Sequence, residues 1–205
     1  MRRALLVAAA AVLVAVPAAR ANGDPASDVL ITNQVYIGPE VPVPQSDQEQ
    51  LTKTVAAAND RGYPIRVALI AFTGDLGTAD SLWRHPQDYA RFLGSELAFV
   101  YRKRLLIAMP SGFGVYHGRT PVARERRALA AVPAGKTPVE LTRSTTRAVR
   151  ALAAQQGIEL PTFEHKSTAT RDRLLIAAAG VLFLLVVLVP GRWLRRSRAI
   201  TPEPD

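Results

Sequence analysis

Ile65-Arg-Val-Ala-Leu-Ile-Ala-Phe72 decides the fold class. It is a nearly continuous apolar run of strand length. Such a strand has both faces buried, as in a sheet covered by helices. Leu105-Leu-Ile-Ala-Met109 repeats the pattern. Residues 73–104 between the two runs are long enough for a helical crossover, so the strands are expected to be parallel neighbours.

Working outward, Ser46-Asp-Gln-Glu49 reads as a capping box that opens a helix. Leu51, Val55 and Ala58 supply its buried stripe, and Gly62 stops it. Upstream, Pro39, Pro42 and Pro44 mark an extended loop, and the β-branched stretch Asp28 to Ile37 reads as a first strand. Downstream, Thr73-Gly-Asp-Leu-Gly77 is a turn. His85-Pro86 then starts a helix in which Tyr89, Phe92, Leu93, Leu97 and Val100 recur at helical spacing. Pro110-Ser-Gly112 turns the chain into a short partner strand from Phe113 to His117, and two helices follow near 121–132 and 138–156. The order β-α-β-α-β-β-α-α predicts an α/β domain, a small sheet with helices packed on it.

The two ends carry a different signal. Met1-Arg2-Arg3, the apolar run Ala4 to Val16, Pro17 and the small-x-small Ala19-Arg20-Ala21 have the layout of a secretory signal peptide over residues 1–21. Leu174 to Val189 carries no charge. Extended to Leu194, with Arg192 snorkelling and Trp193 at the interface, it is long enough for a transmembrane helix. Arg192, Arg195, Arg196 and Arg198 place the tail 195–205 in the cytoplasm by the positive-inside rule. Residues 22–157 are then an extracytoplasmic domain and 158–173 a linker to a single-pass anchor in a cell membrane.

The net charge of +9 comes largely from these ends, because residues 22–173 hold 19 basic and 15 acidic side chains. No aromatic residues interleave with the basic ones, so nucleic acid is not an expected partner. The absence of cysteine excludes disulfides, thiolate nucleophiles and cysteine-based metal sites. The dominance of Arg over Lys and the abundance of Ala suit a GC-rich bacterial genome.

Few residues carry a chemical signature. Met109-Pro-Ser111-Gly-Phe-Gly114 has the serine of a nucleophile elbow but lacks the preceding glycine and the following helix. Gly112 and Gly114 lack the Lys-Ser/Thr of a phosphate loop. His85, His117 and His165 sit on separate elements. Asp75 and Asp80 are weak candidates for a divalent cation, and Asp80 has the alternative role of capping Ser81–Arg84. If the two core strands are parallel, Thr73, Asp75 and Ser111 leave them at one edge, the usual place for a ligand. Residues 119–150 hold Arg119, Arg124, Arg126, Arg127, Lys136, Arg143, Arg147 and Arg150 against Glu125 and Glu140, whereas residues 22–100 are net acidic. Arg143, Arg147 and Arg150 recur at i, i+4, i+7 on one helix face. This basic face suits either plain solvation or contact with an anionic lipid, polymer or protein.

Residues 46–118 resemble the TPM domain, through the helix before Ile65–Phe72, the Tyr89-Ala90-x-x-Leu93 helix, Leu105–Met109 and the strand near Val115-Tyr116. A signal peptide and a C-terminal anchor also match that family's layout. The resemblance implies the fold and topology above, and for some members a metal-dependent phosphatase activity. The family's Gly-rich turn before the third strand is replaced here by Ala98-Phe-Val-Tyr-Arg-Lys-Arg104, and no catalytic residue carries over. The expected function is therefore an interaction or regulatory module of the bacterial envelope. The alternatives are a TPM-type phosphatase using a divalent cation, or a lipid- or polymer-binding module.

The four-arginine tail makes the topology testable. A reporter fused after Asp205 is expected to be active only as its cytoplasmic form; activity outside the cell would reverse the assignment.

Overall fold

A computed structural model describes residues 23–163. The expected signal peptide, residues 164–173, the apolar stretch 174–194 and the tail lie outside the described residues. Among the described residues no helix is long and apolar enough to cross a membrane.

β2 (Ile65–Leu69) and β3 (Arg104–Met109) are parallel neighbours, with Ile65 opposite Arg104 and Leu69 opposite Ala108. β1 (Val35–Ile37) lies parallel on the other side of β2, and β4 (Gly112–Tyr116) closes the far edge antiparallel to β3. The result is a four-stranded mixed sheet in sequence order. α1 (Pro25–Leu30), α2 (Gln45–Asp60), α3 (Pro86–Glu96), α4 (Ala123–Ala130) and α5 (Pro138–Ala154) surround it.

The period of two along each strand sorts the core into two layers. Ile65, Val67, Leu69, Leu106 and Ala108 face one cluster, formed with Leu51 and Val55 of α2, Leu129 of α4 and Leu141, Val149 and Leu152 of α5. Ala68, Ile70, Leu105, Ile107 and Met109 face the other, formed with Leu30 of α1 and Tyr89, Leu93 and Leu97 from α3 and its end. Every one of these side chains is under 2% exposed except Leu129, at 4%. Each fully buried Leu, Ile or Val contributes roughly 1.5–3 kcal/mol relative to exposure.

Several boundaries differ from the sequence reading. Residues 28–37 are not one strand. Asp24 caps α1 by accepting the Ala26 N–H at 3.0 Å, Pro25 occupies the first turn, and only Val35–Ile37 pairs with β2. The Asp-Pro start outweighs the β-branched residues that follow. Ser46 is not an N-cap: α2 starts at Gln45 after Pro44, with no side-chain cap. Glu49 instead meets Gln45 and Lys53 one turn away on either side. A true capping box stands at α5, where Thr137 accepts from the Glu140 N–H and the Glu140 carboxylate accepts from the Thr137 N–H. The Thr73–Gly77 turn continues as 3₁₀ turns to Leu82. α3 stops at Glu96 and relaxes into a 3₁₀ turn over Leu97–Phe99, leaving Phe99 74% and Val100 45% exposed rather than in the buried stripe. Within the expected linker, Ile158 and Leu160 pack on the first core cluster and Gln50 donates to the Phe163 carbonyl.

Leu69 and Ile107 lie at the centre of the two layers. Replacing either with Asp is expected to cost about 4 kcal/mol or more, since a buried charge would have no partner. That corresponds to a fall in thermal midpoint on the order of 10 °C. Wild-type stability in either variant, measured by thermal unfolding, would show these strands to be peripheral.

Candidate functional site

The carboxyl ends of β2 and β3 open on one edge, as their parallel register requires. Thr73 and Ser111 are exposed there, on the 3₁₀ segment and in the β3–β4 turn. Asp75 is turned inward and only 6% exposed. One carboxylate oxygen accepts the N–H groups of Ala71 at 2.8 Å and Phe72 at 2.9 Å. The other presses on Gly38, where a Cβ would stand 2.0 Å away. Burial raises the Asp75 pKa and the two N–H donors oppose that rise. Asp75 thus ties off the end of β2 and the turn after β1. Among the described residues, neither the Thr73 nor the Ser111 hydroxyl hydrogen-bonds to it.

Asp80 is exposed, and its carbonyl, not its carboxylate, holds the Trp83 N–H at 2.9 Å. His85 precedes α3 with its imidazole 4.0 Å from Asp88. His117 follows β4; burial and Arg104 push its pKa down. His165 lies outside the described residues. Among the described residues, no group of three or more His, Asp or Glu is gathered as a metal ion would need.

A buried polar cluster escaped the sequence reading. The Tyr89 hydroxyl lies 2.8 Å from both carboxylate oxygens of Asp24, which is 4% exposed. Beside it, the Tyr36 hydroxyl donates to the Asp75 carbonyl at 3.3 Å. Burial pushes the Asp24 carboxyl up to about 6, with the Tyr89 and Ala26 hydrogen bonds pulling the other way. Gly77, at φ +55°, lets the 3₁₀ segment pass so close to Gly23 that a Cβ would meet its carbonyl oxygen at 2.4 Å. The cluster fastens the start of α1 onto α3 and the 3₁₀ segment. The only sequence signal for it was Asp24-Pro25, a helix-start pattern that says nothing about Tyr89.

The basic residues divide into two sets. On α5, Arg143 forms a two-pronged pair with Asp47 of α2, at 2.9 and 3.1 Å. Arg147 donates to Ser144 one turn earlier, and Arg150 to the Pro161 carbonyl and Thr162. The i, i+4, i+7 stripe is therefore tied to the domain's own surface. Arg119, Arg124, Arg126 and Arg127, in the loop before α4 and on α4 itself, are exposed. Arg124 reaches the Gln155 carbonyl and Arg127 the Ala123 carbonyl, and no carboxylate pairs with any of the four among the described residues. Glu125, the acid between them, is turned inward to Arg104 at 3.8 Å and its side chain is 12% exposed. Lys136 donates to the Pro110 carbonyl.

Comparison of the chain with protein-family models, with curated proteins and with solved structures gives no match.

The Asp24 geometry sets a pH dependence. A carboxyl whose pKa is about 6 when folded and near 3.8 when unfolded favours the fold in its protonated form. Its contribution is complete below about pH 4 and is lost as the pH rises to about 6, a change of roughly 2–3 kcal/mol. Asp24→Asn keeps a capping side chain without the charge. The difference in thermal midpoint between wild type and this variant is expected to shift against wild type across that window. Parallel curves from pH 4 to 7 would show that Asp24 does not titrate there.

Proposed function

We propose that this chain is a membrane-anchored extracytoplasmic domain that binds an anionic component of the cell envelope through Arg119, Arg124, Arg126 and Arg127. One observation carries the reading. Glu125 is drawn into the domain by Arg104, so the arginines around it face solvent without a counter-charge. An excess of basic residues in sequence thereby becomes a local field at the surface, and such a field attracts phosphate- or carboxylate-rich partners.

The anchor rests on the uncharged run 174–189 and the arginines after it, and the outward placement of the domain on the positive-inside rule. Binding is favoured over catalysis because Asp75 already accepts two backbone N–H groups and is closed off by Gly38. A phosphatase of the TPM type would need a free carboxylate set at that edge.

The test uses the full chain in nanodiscs of neutral lipid, titrated with polyphosphate as the polyanion. Each surface arginine contributes about 1 kcal/mol to such an encounter. Replacing Arg119, Arg124 and Arg127 together with Gln is expected to weaken binding by on the order of a hundredfold at low salt, less at high salt. Equal binding by wild type and the triple variant would remove the basis for this function.

A further inference from the structure

β4 is an edge strand, and its open side is flanked by α3 from one face of the sheet and by α4 from the other. The side chain of Gln87, at the start of α3, pairs with the backbone of Val115: its amide nitrogen donates to the carbonyl at 2.9 Å and its oxygen accepts the N–H at 3.3 Å. Pro86 sits directly over Gly114, where a Cβ would meet its carbonyl oxygen at 1.9 Å. The middle of the edge is therefore closed to another strand. What remains along it is a groove in two parts.

One part, a cleft of about 310 Å³, has a mixed lining, with Gln87, Arg91, His117 and Arg126 beside Tyr116 and Val122. The other, about 290 Å³, is lined by Phe113, Leu129, Ala130 and Val132. Gln87 and Arg126 line both clefts, so the two adjoin at these side chains. Arg91 is paired with Asp88. The Arg126 side chain has no hydrogen bond or ion pair among the described residues, and the His117 Nδ1 is buried without a partner. One uncompensated guanidinium thus stands between a cleft of mixed lining and the apolar chamber formed by Phe113, Leu129, Ala130 and Val132. Each chamber is of the size that small-ligand pockets take.

We propose that this groove binds an amphiphilic anion, an alkyl or acyl chain ending in a single phosphate or carboxylate, with the head at Arg126 and the chain against Phe113, Leu129 and Val132. The inference rests on the preceding reading in one respect, that the outward arginines serve recognition. The two uses are separable, because Arg119, Arg124 and Arg127 do not line the groove.

The probes are octyl phosphate, octanoate, octanol and inorganic phosphate, titrated calorimetrically into the full chain in neutral nanodiscs, with empty nanodiscs as the baseline. Octyl phosphate or octanoate is expected to bind at least tenfold more tightly than octanol or inorganic phosphate. The better of the two identifies the head group and separates a phospholipid-like source from a fatty acid. Arg126→Gln is expected to lower that affinity about tenfold. Ala130→Trp, which fills the apolar chamber from an exposed position, should do the same with the thermal midpoint unchanged. Octanol binding as well as octyl phosphate, no binding of any amphiphile, or affinity unaltered in both variants would each overturn the proposal. If amphiphile binding fails while polyphosphate binding still depends on Arg119, Arg124 and Arg127, the groove is wrong and the anionic-partner reading stands. If both fail, both fall.

Discussion

The parallel pairing of β2 with β3 is the constraint on which the rest of the domain depends. Both strands are apolar on both faces, so each face must be covered, and the chain has to pass helices to opposite sides of the sheet. Charge is admitted only at the strand starts. Arg66 lies over the Tyr101 ring at 4.1 Å and donates to the Leu30 carbonyl; Arg104 lies over the Tyr63 ring at 4.3 Å. Each cation thus rests on an aromatic face at the rim of the layer it would otherwise enter. The Arg104 placement has a second effect, since it draws Glu125 away from the outer surface of α4.

That chain of cause links the core to the surface field. Asp47 is engaged by Arg143, Glu140 by its own capping box, and Glu125 by Arg104. The Thr137 and Lys136 N–H groups hold the Glu140 carboxyl below its usual range. The acids that balance the basic half in sequence are therefore committed to structural contacts, and the arginines of α4 are left to the solvent. On the α5 stripe, Arg143 holds α2 through Asp47 and Arg150 holds the chain beyond, while Arg147 bonds within its own helix.

The parts of the fold legible in sequence were those decided by local pattern. The two buried strands follow from continuous apolar runs, their parallel relation from the length of the crossover between them, the partner strand from the turn before it, and the long helices from apolar spacing of period 3.6. The parts that failed were decided by single residues whose partners are distant. Asp24 gives no sign of its partner until Tyr89 is placed beside it, and Ser46 reads as a cap until Pro44 takes that position. Asp75 looked like a ligand because a carboxylate in a turn after a strand is compatible with binding or with self-capping. Only the positions of the Ala71 and Phe72 N–H groups distinguish the two. The groove along β4 had no sequence signal, because its lining comes from three segments and its key residue, Arg126, is one arginine among several.

The clasp between Asp24 and Tyr89 also orders events in time. The strands lie in the sheet in the order in which they are made, so each can add to its predecessor as the chain lengthens. The Asp24 clasp has to wait longer: its hydroxyl partner lies 65 residues downstream. At ordinary rates of synthesis that residue emerges roughly 3–13 s later. Until then the start of α1 has no anchor on α3. The start of α1 is thus secured only once α3 has been made, and the other layer closes later still, when Arg143 of α5 reaches back 96 residues to Asp47 of α2.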